Sequence, residues 1–158
     1  MNKTVCVIPA RMGSSRFPGK PLAKLLGLEL LLHVYERCKL CKVIDRIIVA
    51  TCDKEIQESC ESKGAEVVMT SSKHPGCVDR TQEAVSLACD GLDDSDLVLM
   101  VQGDEVLISP SMVSEVIKEF WGSRPSVINL ASRISNQLDY NDPNIVKVAI
   151  SVDGRALF

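Results

Sequence analysis

The stretch VCVIPARMGSSRFPGKP, residues 5–21, decides the fold. It starts with a short apolar run, residues 5–8, and continues into a segment rich in glycine, serine and cations. A short apolar run of this kind is typical of a buried strand in an α/β sheet. Ligands of such sheets bind beyond the carboxyl ends of the strands. The loop after residue 8 is therefore the first place to look for a binding site.

The composition of this loop favours a polyphosphate ligand. Gly13 and Gly19 allow backbone turns that other residues resist, and the serines between them offer hydroxyl and amide donors. Three cations, Arg11, Arg16 and Lys20, lie within ten positions. The glycine spacing differs from that of a Walker A loop, and no GxGxxG dinucleotide motif is present. A surface loop that merely turns would have no reason to collect these cations.

Apolar runs alternate with amphipathic stretches along the rest of the chain, which is typical of βαβ units. The predicted strands are residues 5–8, 46–51, 65–70, 97–101, 127–134 and 145–151. The predicted helices are residues 29–42, a segment through Ile56 and Cys60 to Gly64, a segment capped by Asp79 with Ala84, Val85 and Ala88 buried, and a segment from Val113 to Phe120.

The strands are continuously rather than alternately apolar, which indicates a sheet covered on both faces. The predicted fold class is therefore α/β, a three-layer α/β/α sandwich with a mostly parallel sheet, in a single domain over residues 1–158. Asp153-Gly154 predicts a hairpin turn. Because the chain stops where the returning strand of that hairpin should begin, we expect a truncated C-terminus.

Composition and charge exclude several classes of protein. The chain has 158 residues, of which 46% are hydrophobic and 25% charged, and a net charge of −3. These values are typical of a globular protein and argue against a general nucleic-acid binder. The first 28 residues nevertheless contain cations and no acid, which favours a local site for a small anion. With no apolar run of the roughly 20 residues that a membrane span needs, we expect a cytoplasmic protein without a membrane partner.

Two motifs carry a family resemblance. IPARMGSSRFPGKPL, residues 8–22, resembles the IPAR-x-x-S-x-R-x-P-GKPL signature of sugar-acid cytidylyltransferases, and VQGDE, residues 101–105, matches the second hallmark of that family. The resemblance spans essentially the whole chain and is strongest to the 3-deoxy-manno-octulosonate (KDO) cytidylyltransferases. It implies a Rossmann-like nucleotide-diphospho-sugar transferase fold and a homodimer. It also implies transfer of CMP from CTP to a sugar acid, with release of pyrophosphate, for surface-polysaccharide synthesis.

The resemblance assigns roles to particular residues. Arg11, Ser14, Arg16 and Lys20 would hold the phosphates of CTP, and Gln102 would lie near the sugar acid. The implied nucleotide-binding set is Ala10, Arg11, Gly13, Ser14, Arg16, Lys20, Asp79, Arg80 and Gln102. The implied catalytic set is Arg11, Lys20 and Asp104.

Asp104 is also a candidate metal ligand. It follows the strand at residues 97–101 and a glycine, which places its carboxylate at the ligand-binding edge of the sheet. Mg²⁺ commonly uses one or two carboxylates together with substrate phosphates and water. An exposed aspartate in a turn is the alternative reading of the residues alone, and the resemblance favours the metal ligand.

The chain departs from the family pattern at residues 76–78, where Gly-Cys-Val replaces Ser-Gly-Thr. The valine lacks the threonine hydroxyl, so nucleotide contacts there are expected to be weaker, and Cys77 is either a reactive or an inert thiol. The second metal aspartate and the sugar pocket of the family have no counterpart before Phe158, so the isolated chain is expected to lack synthetase activity. Two alternatives stay open: a CMP-nonulosonic acid synthetase and a non-catalytic nucleotide-binding module.

Overall fold

The computed structural model describes residues 2–13 and 17–158. The strands are β1 (Thr4–Pro9), β2 (Lys24–Leu25), β3 (Leu28–Glu29), β4 (Arg46–Thr51), β5 (Glu66–Met69) and β6 (Leu97–Met100). The helices are α1 (Leu30–Lys39), α2 (Lys54–Glu61), α3 (Cys77–Ala88), α4 (Pro110–Ser123) and α5 (Gln137–Asn141). A 3₁₀ turn covers Lys20–Leu22.

The main sheet has the strand order β5-β4-β1-β6, and each neighbouring pair is parallel. Every residue of β1 is buried, as expected for a central strand with helices on both faces. The sheet confirms the predicted parallel α/β class. Because the strands run in one direction, the segments that follow them meet at one edge of the sheet.

Side chains of β1 alternate between two hydrophobic layers, because successive residues of a strand point to opposite faces. Cys6 and Ile8 belong to a core cluster with buried residues of α1 and α2. Val5 and Val7 belong to a second cluster, which contains Ala84 of α3. Val113 and Ile117 of α4 pack with Leu97 of β6 in a third. Helices thus cover both faces of the sheet, which confirms the three-layer sandwich.

Several predicted elements differ from the structure in detail. The helix predicted over residues 29–42 ends at Lys39, three residues early, and α2 ends at Glu61, before Gly64 at φ 75°. The prediction that Asp79 caps α3 is wrong, because the N-cap is Gly76 and Asp79 lies in the first turn. A carboxylate in the first turn still interacts favourably with the positive end of the helix.

The strands predicted at 127–134 and 145–151 are wrong: apart from one isolated bridge, the structure has no strand there. Val127 and Val146 are largely exposed, 77% and 94%. Apolar and β-branched composition favours a strand only where a neighbouring strand supplies a hydrogen-bonded ladder. The hairpin turn predicted at Asp153-Gly154 is confirmed, since the Gly154 amide donates to the Ser151 carbonyl at 3.0 Å with Gly154 at φ 85°.

The small hairpin of β2 and β3 and the short helix α5 were not predicted from the sequence. β2 and β3 form an antiparallel hairpin whose turn contains Leu26 and Gly27, both at positive φ. A leucine rarely adopts this conformation, so a turn through Leu26 is not expected from its residue type. Among residues 2–13 and 17–158, no helix has both the length and the apolar character needed to cross a membrane.

Candidate functional site

A pocket of about 170 Å³ lies at the carboxyl edge of the sheet. Its lining residues come from the end of β1, the loop after it, and the N-cap and first turn of α3: Pro9, Ala10, Arg11, Gly76, Cys77 and Arg80. Residues more than 60 positions apart in sequence thus meet at one site. The structure brings together three of the predicted nucleotide-binding residues, Ala10, Arg11 and Arg80.

Arg80 is the buried cation of this pocket, with 3% of its surface exposed. Its Nη1 donates to Thr70 Oγ1, and the Thr70 hydroxyl in turn donates to the Thr51 carbonyl at 3.1 Å. Holding a guanidinium away from water is costly unless a counter-charge or several acceptors are at hand. Arg80 and the exposed Arg11 together give the pocket positive charge, which suits it to an anionic group.

The main chain of the loop after β1 is held by two bonds to the region of β4. The Ala10 amide donates to the Ala50 carbonyl at 2.9 Å, and the Met12 amide donates to Asp53 Oδ2 at 2.8 Å. Asp53 was not among the predicted site residues. Its position immediately after β4, at the same edge of the sheet, is the signal that could have identified it.

Gly13 and Gly19 lie in the part of the first loop where the chain turns back. Gly13 is exposed, and the Gly19 amide donates to the Met12 carbonyl at 3.1 Å with Gly19 at φ 73°. A positive φ favours glycine, so a residue with a side chain would be strained at this position. The predicted residues Ser14 and Arg16 lie outside the described residues.

Lys20 and Asp104 form an ion pair, with Lys20 Nζ 2.6 Å from Asp104 Oδ2. Their side chains are 37% and 43% exposed, so solvent screens the interaction. Neither residue lines the pocket that contains Arg11 and Arg80. The two motifs, residues 8–22 and 101–105, are therefore in contact. The contact is this ion pair and not the pocket.

Gly103 allows the segment before Asp104 to approach the first loop closely. A Cβ at Gly103 would lie 2.9 Å from Leu31 Cδ1 and 3.1 Å from the Pro9 carbonyl oxygen. Both distances are tighter than ordinary van der Waals contact, so only glycine fits without a shift. The close approach places Asp104 next to the end of β1 and within reach of Lys20.

Gln102 and Asp79 lie at the same edge but not in the pocket lining. Gln102 follows β6 and is exposed, and its carbonyl accepts a bond from the Glu105 amide at 3.1 Å. Asp79 is exposed in the first turn of α3. Both side chains are accessible to a ligand larger than the pocket itself.

The carboxylate of Asp104 is suited to bind Mg²⁺, which needs few ligands from the protein. No group of three or more His, Cys, Asp or Glu residues within 2–13 and 17–158 is arranged to hold a metal ion. Mg²⁺ that arrives with a nucleotide needs only one or two carboxylates, since phosphates and water complete its shell. Asp104, partly exposed and at the sheet edge, meets that requirement.

Comparison with known proteins identifies the family of the chain. A family model described as cytidylyltransferase matches residues 5–158. The 3-deoxy-manno-octulosonate cytidylyltransferase of Thermodesulfovibrio yellowstonii is 48% identical over 98% of this chain and 62% of the relative. The 8-amino-3,8-dideoxy-manno-octulosonate cytidylyltransferase of Shewanella frigidimarina is 42% identical over 99% of this chain and 64% of the relative.

A solved structure shows the same likeness in three dimensions. CMP:2-keto-3-deoxy-manno-octonic acid synthetase, complexed with CTP, is 30% identical and superposes with a TM-score of 0.84 over 99% of this chain and 63% of that protein. The chain spans less than two thirds of the length of these relatives. The match of the family model over nearly all of its residues shows that the chain belongs to the cytidylyltransferase family.

Proposed function

We propose that the chain carries the nucleotide-binding part of an enzyme that transfers CMP from CTP to a 3-deoxy-manno-octulosonate-type sugar acid. The observation that supports this most is the pairing of Arg11 with the buried Arg80 around one pocket, in a chain of the cytidylyltransferase family. In the proposed reaction the anomeric hydroxyl of the sugar acid attacks the α-phosphorus, and pyrophosphate leaves.

The residues of the site would act by binding and alignment. Arg11 and Lys20 would neutralise phosphate oxygens, the main chain at Ala10 would face the base, and Gln102 would contact the sugar acid. Ser14, Arg16, Gly13 and Asp79 remain proposed nucleotide contacts, and Arg80 supplies the buried charge at the pocket. Such transfer needs no covalent enzyme intermediate, since fixed geometry and neutralised charge lower the barrier. Mg²⁺, when bound with the nucleotide, would be held by Asp104 and add charge neutralisation.

The names of the relatives favour octulosonates as acceptors. One is named for 3-deoxy-manno-octulosonate and the other for its 8-amino, 8-deoxy form, which differ at one substituent. This supports an octulosonate over a nonulosonic acid. Because CTP is an intracellular nucleotide, the proposal places the reaction in the cytoplasm, and it includes a homodimer.

The proposal is tested by equilibrium binding of the Mg²⁺ complexes of CTP, UTP, ATP and GTP to the chain, measured by calorimetry. We expect CTP to bind most tightly. Equal affinity for the four nucleotides would contradict the cytidylyl assignment. Because the isolated chain is expected to lack synthetase activity, the acceptor is identified with the complete enzyme, by comparing pyrophosphate release from CTP with 3-deoxy-manno-octulosonate, its 8-amino form and N-acetylneuraminate. Preference for neuraminate would contradict the octulosonate proposal.

A further inference from the structure

Glu83 connects α3 to the loop that precedes it. One oxygen of its carboxylate, Oε2, accepts a hydrogen bond from the Ser71 amide at 2.7 Å and another from His74 Nε2. An ionised carboxylate can only accept, so the ring nitrogen is the donor. Residues 71–76, called here the α3 loop, are therefore attached to the helix near both their start and their end.

The carboxylate of Glu83 is ionised, which suits it to accept both hydrogen bonds from the α3 loop. Its hydrogen bond with His74 and, next in size, that with the Ser71 amide hold the pKa of the Glu83 carboxyl below its ordinary value. It is consequently ionised at neutral pH. The side chains of His74 and Glu83 are 20% and 32% exposed, so the contact is partly shielded from solvent. Charge-assisted hydrogen bonds of this kind are stronger than neutral ones.

The α3 loop leads directly into the pocket. Gly76 is the N-cap of α3, Cys77 is its first residue, and both line the pocket. Arg80, which also lines it, lies one turn before Glu83 and bonds Thr70, the residue just before the loop. Two neighbouring side chains on one face of α3 thus hold consecutive residues of the incoming chain, because positions three apart share a helix face.

Among residues 2–13 and 17–158, few other contacts hold this loop. Lys73 donates from its amide to Ser71 Oγ at 3.1 Å, a contact within the loop itself. Val78, 65% exposed, has no hydroxyl with which to bond a ligand or the loop. Within the part of the chain that the structure describes, the loop is therefore linked to the body of α3 mainly through Glu83.

We propose that Glu83 is a positioning residue for nucleotide binding, which fixes the α3 loop so that Gly76 and Cys77 form their part of the pocket. This rests on the proposed function in that the ligand is CTP. It adds a residue that touches neither nucleotide nor metal and acts through Ser71 and His74.

The experiment compares Glu83→Ala, Glu83→Gln and His74→Ala with the parent chain. The matched control is Glu61→Ala, because Glu61 also accepts a side-chain hydrogen bond, from Gln57 at 2.9 Å, but lies on α2. Three quantities are measured: the Kd of Mg²⁺-CTP, the thermal midpoint, and the rate at which iodoacetamide alkylates Cys77 without nucleotide. The alkylation rate reports the position of the loop whether or not CTP binds.

We expect Glu83→Ala to raise the Kd about five- to tenfold and to accelerate alkylation of Cys77, because both charge-assisted contacts to the α3 loop are lost and only part of their energy is felt at the pocket. Glu83→Gln keeps an acceptor for both donors but loses the charge, so it should restore part of the affinity and part of the slow alkylation. His74→Ala, which removes one of the two bonds, should give a smaller effect in the same direction. The control should match the parent.

Parental affinity and parental Cys77 reactivity in both Glu83→Ala and His74→Ala would overturn the inference. So would a folded Glu83→Gln that is as impaired as Glu83→Ala, because its hydrogen-bond acceptor is retained. If Glu83→Ala fails to fold, His74→Ala and Glu83→Gln decide by the same criteria. A parent chain that binds no nucleotide would instead overturn the proposed function, and the Cys77 rates would still decide whether Glu83 positions the loop.

Discussion

Replacing Gly103 by alanine should destabilise the protein and weaken nucleotide binding together. The added Cβ would lie 2.9 Å from Leu31 Cδ1, about half an ångström inside ordinary contact, and 3.1 Å from the Pro9 carbonyl oxygen. Leu31 is fully buried and the oxygen belongs to the backbone of β1, so neither can move freely. Overpacking of this kind costs about 1–3 kcal/mol. Because Asp104 is the next residue, the shift should also move its carboxylate away from Lys20.

The control for this prediction is Gly122→Ala. Gly122 lies within α4, and nothing would come within 4 Å of its added Cβ. Alanine there should stabilise the chain by up to about 1 kcal/mol, since glycine is the poorer helix former. Urea unfolding of the two variants and the parent gives the free energies, and calorimetry gives the affinity for Mg²⁺-CTP. Stability of Gly103→Ala equal to that of Gly122→Ala would refute the reasoning.

Three further predictions concern the site. Arg11→Ala and Lys20→Ala should each weaken CTP binding by about 1.5–3 kcal/mol without unfolding the chain, as measured by calorimetry; unchanged affinity in both would show that the loop does not hold the phosphates. Asp104→Asn should lose the Mg²⁺-dependent part of CTP binding and keep the rest, and a parental magnesium dependence would exclude the metal role. Bound CTP should protect Cys77 from alkylation but not Cys89, which is remote from the pocket lining, and mass spectrometry of the labelled peptides measures both.

The parallel sheet could be predicted because β1, β4 and β6 each contain a continuous apolar run. Burial on both faces leaves a continuous run of apolar residues, and β1, β4 and β6 were located in this way. The same rule failed at residues 127–134. An apolar run shows that a segment would gain from burial, but it does not show which neighbour would provide the ladder.

The site was predictable to the extent that it follows from strand direction. Ala10, Arg11 and Arg80 converge because β1 and the segment leading into α3 reach the same edge of the sheet. The supporting contacts were not predictable. Asp53 bonds the Met12 amide across 41 positions, and such a contact depends on the register of two strands rather than on any local pattern.

The ion pair between Lys20 and Asp104 is compatible with the separate roles proposed for the two residues. Under the proposed function Lys20 binds phosphate and Asp104 binds Mg²⁺, yet in the free chain they bind each other. A pair this exposed contributes only about 0–1 kcal/mol, so separating the two costs little. The Mg²⁺ complex of CTP offers a stronger partner to each, an anion for the lysine and a cation for the carboxylate. The ion pair therefore holds the two side chains close together in the free chain. It is weak enough that both can leave it to bind the phosphates and Mg²⁺.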